Sequence, residues 1–138
     1  RFEPRPNDGM HITGDEVGEL LARQACTLLD ARAPDRFEGR VEPLDPRAGH
    51  IPGARNFHFA RNLAANGGFL PAQSLAEQFR SVLRGRQADS VVAMCGSGVT
   101  ACHNLLALEV AGMTGARLYV GSFSEWSRDA ARPVATGP

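Results

Sequence analysis

The stretch Ser90-Val91-Val92-Ala93-Met94-Cys95-Gly96-Ser97-Gly98-Val99-Thr100 decides the fold. Ser90 to Met94 is a short apolar run of the kind that makes a strand buried on both faces. It runs directly into a loop of small residues headed by a cysteine. From Val99 to Val110 the pattern turns helical, with Ala101, Leu105, Leu106, Leu108 and Val110 apolar and Gly112 just beyond the end. A strand, a glycine-rich turn and a helix in that order form the crossover unit of an α/β domain. In such sheets ligands sit beyond the carboxyl ends of the strands, which is where Cys95 falls.

The same alternation continues on both sides. Upstream, Thr13 or Asp15 is placed to cap a helix carrying Val17, Leu20 and Leu21. Cys26-Thr27-Leu28-Leu29-Asp30 follows as a second buried-strand pattern. Ala33 to Ala48 is rich in Pro and Arg and reads as loop, and a short strand is expected around Arg55-Asn56-Phe57. After the Asn66-Gly67-Gly68 turn signal, Leu75, Phe79, Val82 and Leu83 mark an amphipathic helix from about Ala72. Downstream, Arg117 to Val120 predicts a further strand, and Ser122 stands where it could cap a short last helix containing Trp126. Strands alternating with helices predict a mainly parallel sheet. Arg1 to Gly9, rich in Pro and polar residues and without a starting Met, reads as a linker. Residues 1–10 are therefore expected to be an arm and 11–138 the domain.

With 138 residues the chain is long enough for one domain with a substantial core. Its formal net charge is zero, without acidic or basic blocks, which argues against binding nucleic acid or a membrane surface through bulk charge. No apolar run approaches a membrane span. Every basic residue is Arg, so a Schiff-base lysine is excluded. The three cysteines, Cys26, Cys95 and Cys102, are an odd number without zinc-motif spacing. They suggest free thiols in a reducing cytoplasm, with no metal and no cofactor.

Cys95 carries the chemistry in this reading. Gly96 and Gly98 free the loop to turn its amides inward as an anion nest, and the following helix adds its positive end. Both favour thiolate over thiol. A free thiol titrates near 8.5, so lowering it by about two units leaves most of it ionised at neutral pH. Cys26 and Cys102 lack such surroundings and are expected to pack in the core. His103, inside the helix, is expected to be packed or hydrogen-bonded. Cysteine phosphatase chemistry would require an Arg six residues after Cys95, where Ala101 stands.

Cys95-Gly96-Ser97-Gly98-Val99-Thr100 resembles the active-site loop of the 3-mercaptopyruvate sulfurtransferases, within the rhodanese superfamily. Leu29-Asp30-Ala31-Arg32, Arg36-Phe37, Glu42-Pro43, Gly49-His50-Ile51-Pro52-Gly53-Ala54 and Tyr119-Val120-Gly121-Ser122-Phe123-Ser124-Glu125-Trp126-Ser127 are similar to the family's pattern in the same order. The resemblance implies a five-stranded, mainly parallel sheet with helices on both faces, forming the catalytic, C-terminal half of a tandem protein. It implies that Cys95 takes sulfur from 3-mercaptopyruvate as a persulfide, releases pyruvate, and passes the sulfur to a thiol or cyanide. By motif the substrate-holding arginines fall on Arg36 and Arg47, with Arg40 as the alternative to Arg47. Gly96, Gly98, Val99 and Thr100 would cradle the substrate, and Ser97 would polarise it or relay a proton. An N-terminal rhodanese-like half would supply the assisting His and Asp.

Asp30, Arg32 and His50 read as scaffold and Trp126 as packing. None of the four histidines has a motif context marking it as a base. Gly96 and Ser97 are uncharged where thiosulfate-using relatives place cations, which favours the keto acid as donor. The alternatives left open are thiosulfate as donor, or a non-catalytic persulfide carrier or regulatory module on the same fold.

Overall fold

The computed structural model describes residues 1, 3–5 and 7–138; the arm expected over residues 1–10 lies outside the described residues at positions 2 and 6. Five strands form one all-parallel sheet in the order β1-β5-β4-β2-β3. They are β1 (His11–Ile12), β2 (Thr27–Asp30), β3 (Arg55–Asn56), β4 (Val91–Met94) and β5 (Arg117–Tyr119). The two edge strands are two residues long, which leaves little unpaired backbone for another chain to join.

The central strands β2 and β4 are buried along their whole length because both faces are covered. Leu28, Val92 and Met94 point to one face. There they meet Val17 of α1 (Gly14–Ala22) and Phe123 and Trp126 of α5 (Ser122–Trp126). Leu29 and Val91 point to the other face, against Leu75, Phe79 and Leu83 of α3 (Ala72–Leu83) and Ala107 and Leu108 of α4 (Val99–Val110). The period-two alternation of a strand thus sends successive apolar side chains into separate cores.

Thr13 is the cap of α1. Its hydroxyl accepts the Glu16 amide while the Glu16 carboxylate accepts the Thr13 amide at 2.8 Å, a reciprocal capping box. The Ala33–Ala48 loop is interrupted by one helical turn, α2 (Pro34–Phe37), which starts on a proline whose fixed φ suits a first helical position. Ser122, expected as a cap, is instead the first residue of α5, buried and in the left-handed region at φ 51°. Cys102, expected in the core, is exposed. The buried stripe of α4 runs through Ala101, Asn104 and Leu108, and Cys102 lies about 100° round the helix from Ala101.

Candidate active site

The register Asp30↔Met94 aligns the carboxyl ends of β2 and β4, and the chain continues from Met94 into Cys95 at that edge. Four bonds fix the loop that follows. The Cys95 amide donates to Ser122 Oγ at 3.1 Å, and that hydroxyl donates to the Tyr119 carbonyl at 2.8 Å. The amides of Phe123 and Ser124 donate to the carbonyls of Cys95 and Gly96 at 3.0 and 2.8 Å. The strained backbone of Ser122 is therefore the clamp that places its hydroxyl under the Cys95 amide. Gly98 sits at φ 85°, and a Cβ there would lie 2.8 Å from the Val120 carbonyl oxygen, so only glycine fits. The amides of Gly96, Ser97 and Gly98 make no hydrogen bonds among the described residues, and α4 opens without a capping side chain. Free donors at the head of a twelve-residue helix are what an anion at the Cys95 sulfur requires.

Cys95 is 2 % exposed and lies at the base of an open cavity of about 310 Å³. Gly96, Ser97, Val99 and Thr100 of the same loop line it, together with Arg36 and Arg32. The Arg36 guanidinium hangs over the loop, its Nη1 and Nη2 3.5 and 3.6 Å from where a Cβ on Gly96 would be. From behind, Nη2 donates to Glu42 at 2.8 Å and to Asp45 at 3.2 Å. Its Nε is buried without a partner among the described residues. Burial alone would raise the Glu42 pKa, but the Arg36 hydrogen bond and the amides of Leu44 and Asp45 outweigh it and hold the carboxyl below its ordinary range. Asp45 also accepts from the hydroxyl of Ser124, another cavity residue, at 2.6 Å. Arg36 is thus braced by two carboxylates with part of its fork turned to the cavity, suited to a carboxylate-bearing ligand.

The structure does not bring Arg47 to this cavity. Its guanidinium donates to the carbonyls of Trp126, Ser127, Asp129 and Arg132 at 2.6–3.2 Å, tying down the end of α5 and the turn after it. Four of the side chain's five N–H donors are spent on main chain. Arg40 is no substitute, for it is exposed and pairs with Asp35 and Glu38. Of the expected arginine pair, only Arg36 lines the site. Gly98 shapes the loop rather than lining the cavity.

Asp30 and Arg32 form a buried ion pair at 2.7 Å, and Arg32 also donates to Glu42 and to the Gly49 carbonyl. Arg32 therefore lines the cavity as a locked wall. His50 is stacked on Phe37 and its Nδ1 meets the Phe37 carbonyl at 2.8 Å. Trp126 is packed, with its indole N–H on the Pro133 carbonyl. His103 packs against Phe59 and Phe69 beside Asn62. Burial pushes the Cys26 thiol above its ordinary value against the weaker pull of Arg86 and Arg117, which keeps it protonated. Residues that sequence reasoning missed are Ala33, Leu44, His58, Phe59 and Ser124, all on the cavity wall. For His58 and Phe59 a signal existed: they follow β3, at the same carboxyl edge of the sheet as Cys95.

Residues 13–129 match the family model described as the rhodanese-like domain. The chain belongs to the rhodanese-like domain family. Over 136 residues, 99 % of its length, this rhodanese-like domain is 52 % identical to a probable 3-mercaptopyruvate sulfurtransferase of Pseudomonas aeruginosa, covering 48 % of that protein. It is 46 % identical over 125 residues to a putative thiosulfate sulfurtransferase of Mycobacterium tuberculosis, 86 % of this chain and 42 % of that one. The solved structure of the 3-mercaptopyruvate sulfurtransferase from Leishmania major superposes with a TM-score of 0.71 at 32 % identity, over 86 % of this chain and 33 % of that one. The chain spans about half the length, or less, of these relatives. The five-stranded parallel sheet with helices on both faces is the expected rhodanese-like architecture.

Proposed function

We propose that this domain is a sulfurtransferase that takes sulfur from 3-mercaptopyruvate onto Cys95 and passes it to a thiol or cyanide, releasing pyruvate. The observation that carries the reading is one open cavity lined together by the Cys95 loop and by the Arg36 guanidinium. Arg36 holds the donor's carboxylate, and Ser97, exposed on the same wall, hydrogen-bonds its carbonyl. The Cys95 thiolate attacks the donor sulfur; an S–S bond forms, the C–S bond breaks, and the electron pair leaves as pyruvate enolate, which takes a proton at carbon. The uncovered amides of Gly96 to Gly98 and the start of α4 then hold the charge of the persulfide.

Thiosulfate as donor is a second reading, favoured by the name of the Mycobacterium relative. The uncharged Gly96 and Ser97 weigh against a dianion. Leu44 and Val99 stand at the cavity wall 76 % and 73 % exposed. Together with the greater length of the relatives, they support a second rhodanese-like half as the cover of this cavity. Three free thiols fit a reducing, cytoplasmic setting. The test is pyruvate release when the purified chain meets 3-mercaptopyruvate and a thiol, beside sulfite release from thiosulfate. Pyruvate in excess of sulfite, lost in Cys95→Ser, supports the reading. Sulfite alone would move the assignment to thiosulfate, and neither product would leave the carrier role.

A further inference from the structure

The proposed reaction has a proton problem that the described Cys95 loop and Arg36 do not solve, because the Ser97 hydroxyl, the relay the sequence suggests, has no base beside it in the loop to hold the proton. Written in balance, thiolate plus HS–CH2–CO–COO⁻ gives persulfide anion plus CH3–CO–COO⁻. The proton that starts on the donor sulfur must end on the carbon that sulfur has left. Arg36 and Arg32 stay charged and cannot ferry it, and Cys95 is consumed as the nucleophile. Among the described residues His58 is the one imidazole on the cavity wall, reached by the turn that follows β3. The ring of Phe59 meets it edge-on at 4.9 Å, and His103, which also packs on Phe59, does not line the cavity. No carboxylate lines the cavity among the described residues; Glu42 and Asp45 lie behind Arg36, and Asp30 behind Arg32.

We propose that His58 is the proton relay of this site, accepting the proton of the donor's S–H and delivering it to the carbon of the departing enolate. The inference rests on the mercaptopyruvate reading above. The surroundings suit the role. Burial holds the His58 pKa below its ordinary value, which keeps the ring neutral and able to accept a proton at physiological pH. Desolvation opposes a permanent imidazolium, so the accepted proton is readily given up. The domain thereby carries its own proton-transfer group, whatever a covering half contributes.

Sulfur donors differ in whether they need this step. Transfer from thiosulfate, or from a thiosulfonate, forms the same persulfide and expels sulfite or sulfinate with no proton moved. The experiment is single-turnover persulfide formation on Cys95 in wild type, His58→Gln and His58→Asn, with 3-mercaptopyruvate and with each proton-free donor. The relay predicts about a 10²-fold slower mercaptopyruvate step in both variants, with the proton-free step unchanged. In wild type it predicts a solvent deuterium isotope effect on the first reaction only. Over pH, the mercaptopyruvate step should show an acid limb, set by His58, that the proton-free donors lack. Equal slowing with every donor would make His58 a wall residue, and no slowing would make it a bystander; either result overturns the relay. Sulfur reaching Cys95 from the proton-free donors but never from mercaptopyruvate overturns it too. If no donor loads Cys95 in wild type, the sulfurtransferase reading itself falls, and that outcome is separate from all the others.

Discussion

Replacing Arg47 with Ala removes a side chain that ties the Ala33–Ala48 loop to the end of α5 and the turn after it. Four carbonyls, those of Trp126, Ser127, Asp129 and Arg132, lose a charged donor at once. A hydrogen bond from a charged donor contributes about 1.5–3 kcal/mol where it is buried. These carbonyls are only partly buried, and water can replace much of what is lost. A total near 2–4 kcal/mol is therefore expected, a large share of the roughly 5–15 kcal/mol that holds a domain together. With an unfolding entropy of about 2.1 cal/mol/K per residue, a chain of 138 residues should lose about 7–14 °C in Tm. Thermal unfolding by circular dichroism measures this, and Arg47→Lys should fall between, because one ammonium cannot serve four acceptors. Kinetics below the transition should show an unchanged KM for 3-mercaptopyruvate. A Tm within about 2 °C of wild type together with a raised KM would return Arg47 to substrate binding and refute the assignment.

Arg36→Ala should cost about 2–5 kcal/mol in kcat/KM for 3-mercaptopyruvate, with a smaller loss for thiosulfate; steady-state kinetics with both donors checks this, and equal losses would remove Arg36 from donor selection. Gly96→Arg with Ser97→Lys should shift preference toward thiosulfate, since a Cβ on Gly96 meets Arg36 only at ordinary van der Waals distance and the added cations suit a dianion; competition between the two donors reads the ratio. The depressed pKa of Glu42 makes it stabilising above its unfolded value, near pH 4.3, and that contribution disappears as pH falls through the lower folded value. The Tm gap between wild type and Glu42→Gln should accordingly be full at pH 6 and shrink below about pH 4.

Much of this architecture was legible because its elements are strongly punctuated. The α4 helix runs from Val99 to Val110, as its apolar pattern and the flanking Gly98 and Gly112 indicate. β2 and β4 announced themselves as continuous apolar runs because both their faces are buried. β1 did not, because two residues, His11 and Ile12, carry no period. The site residues divide along the same physical line. Cys95 was legible because its neighbours in sequence are also its neighbours in space. Arg47 was not, because its partners lie 79–85 residues away and nothing local says which way a loop arginine turns. His58 was hidden for the related reason that its meaning comes from the sheet order, which sets β3 beside β2 and the turn after it facing the Cys95 loop. Ser122 shows the reverse error: the residue type fits a cap, but its hydroxyl serves the Cys95 amide instead.

The central claim is that sulfur is carried on Cys95, and the most direct measurement is mass spectrometry of the chain after one equivalent of 3-mercaptopyruvate. Intact mass should rise by one sulfur atom, with one pyruvate released per chain. Peptide mapping should place the sulfur on Cys95, leaving buried, protonated Cys26 and exposed Cys102 unmodified. Sulfur found on Cys26 or Cys102 with Cys95 bare, or pyruvate release that persists in Cys95→Ser, would contradict the account.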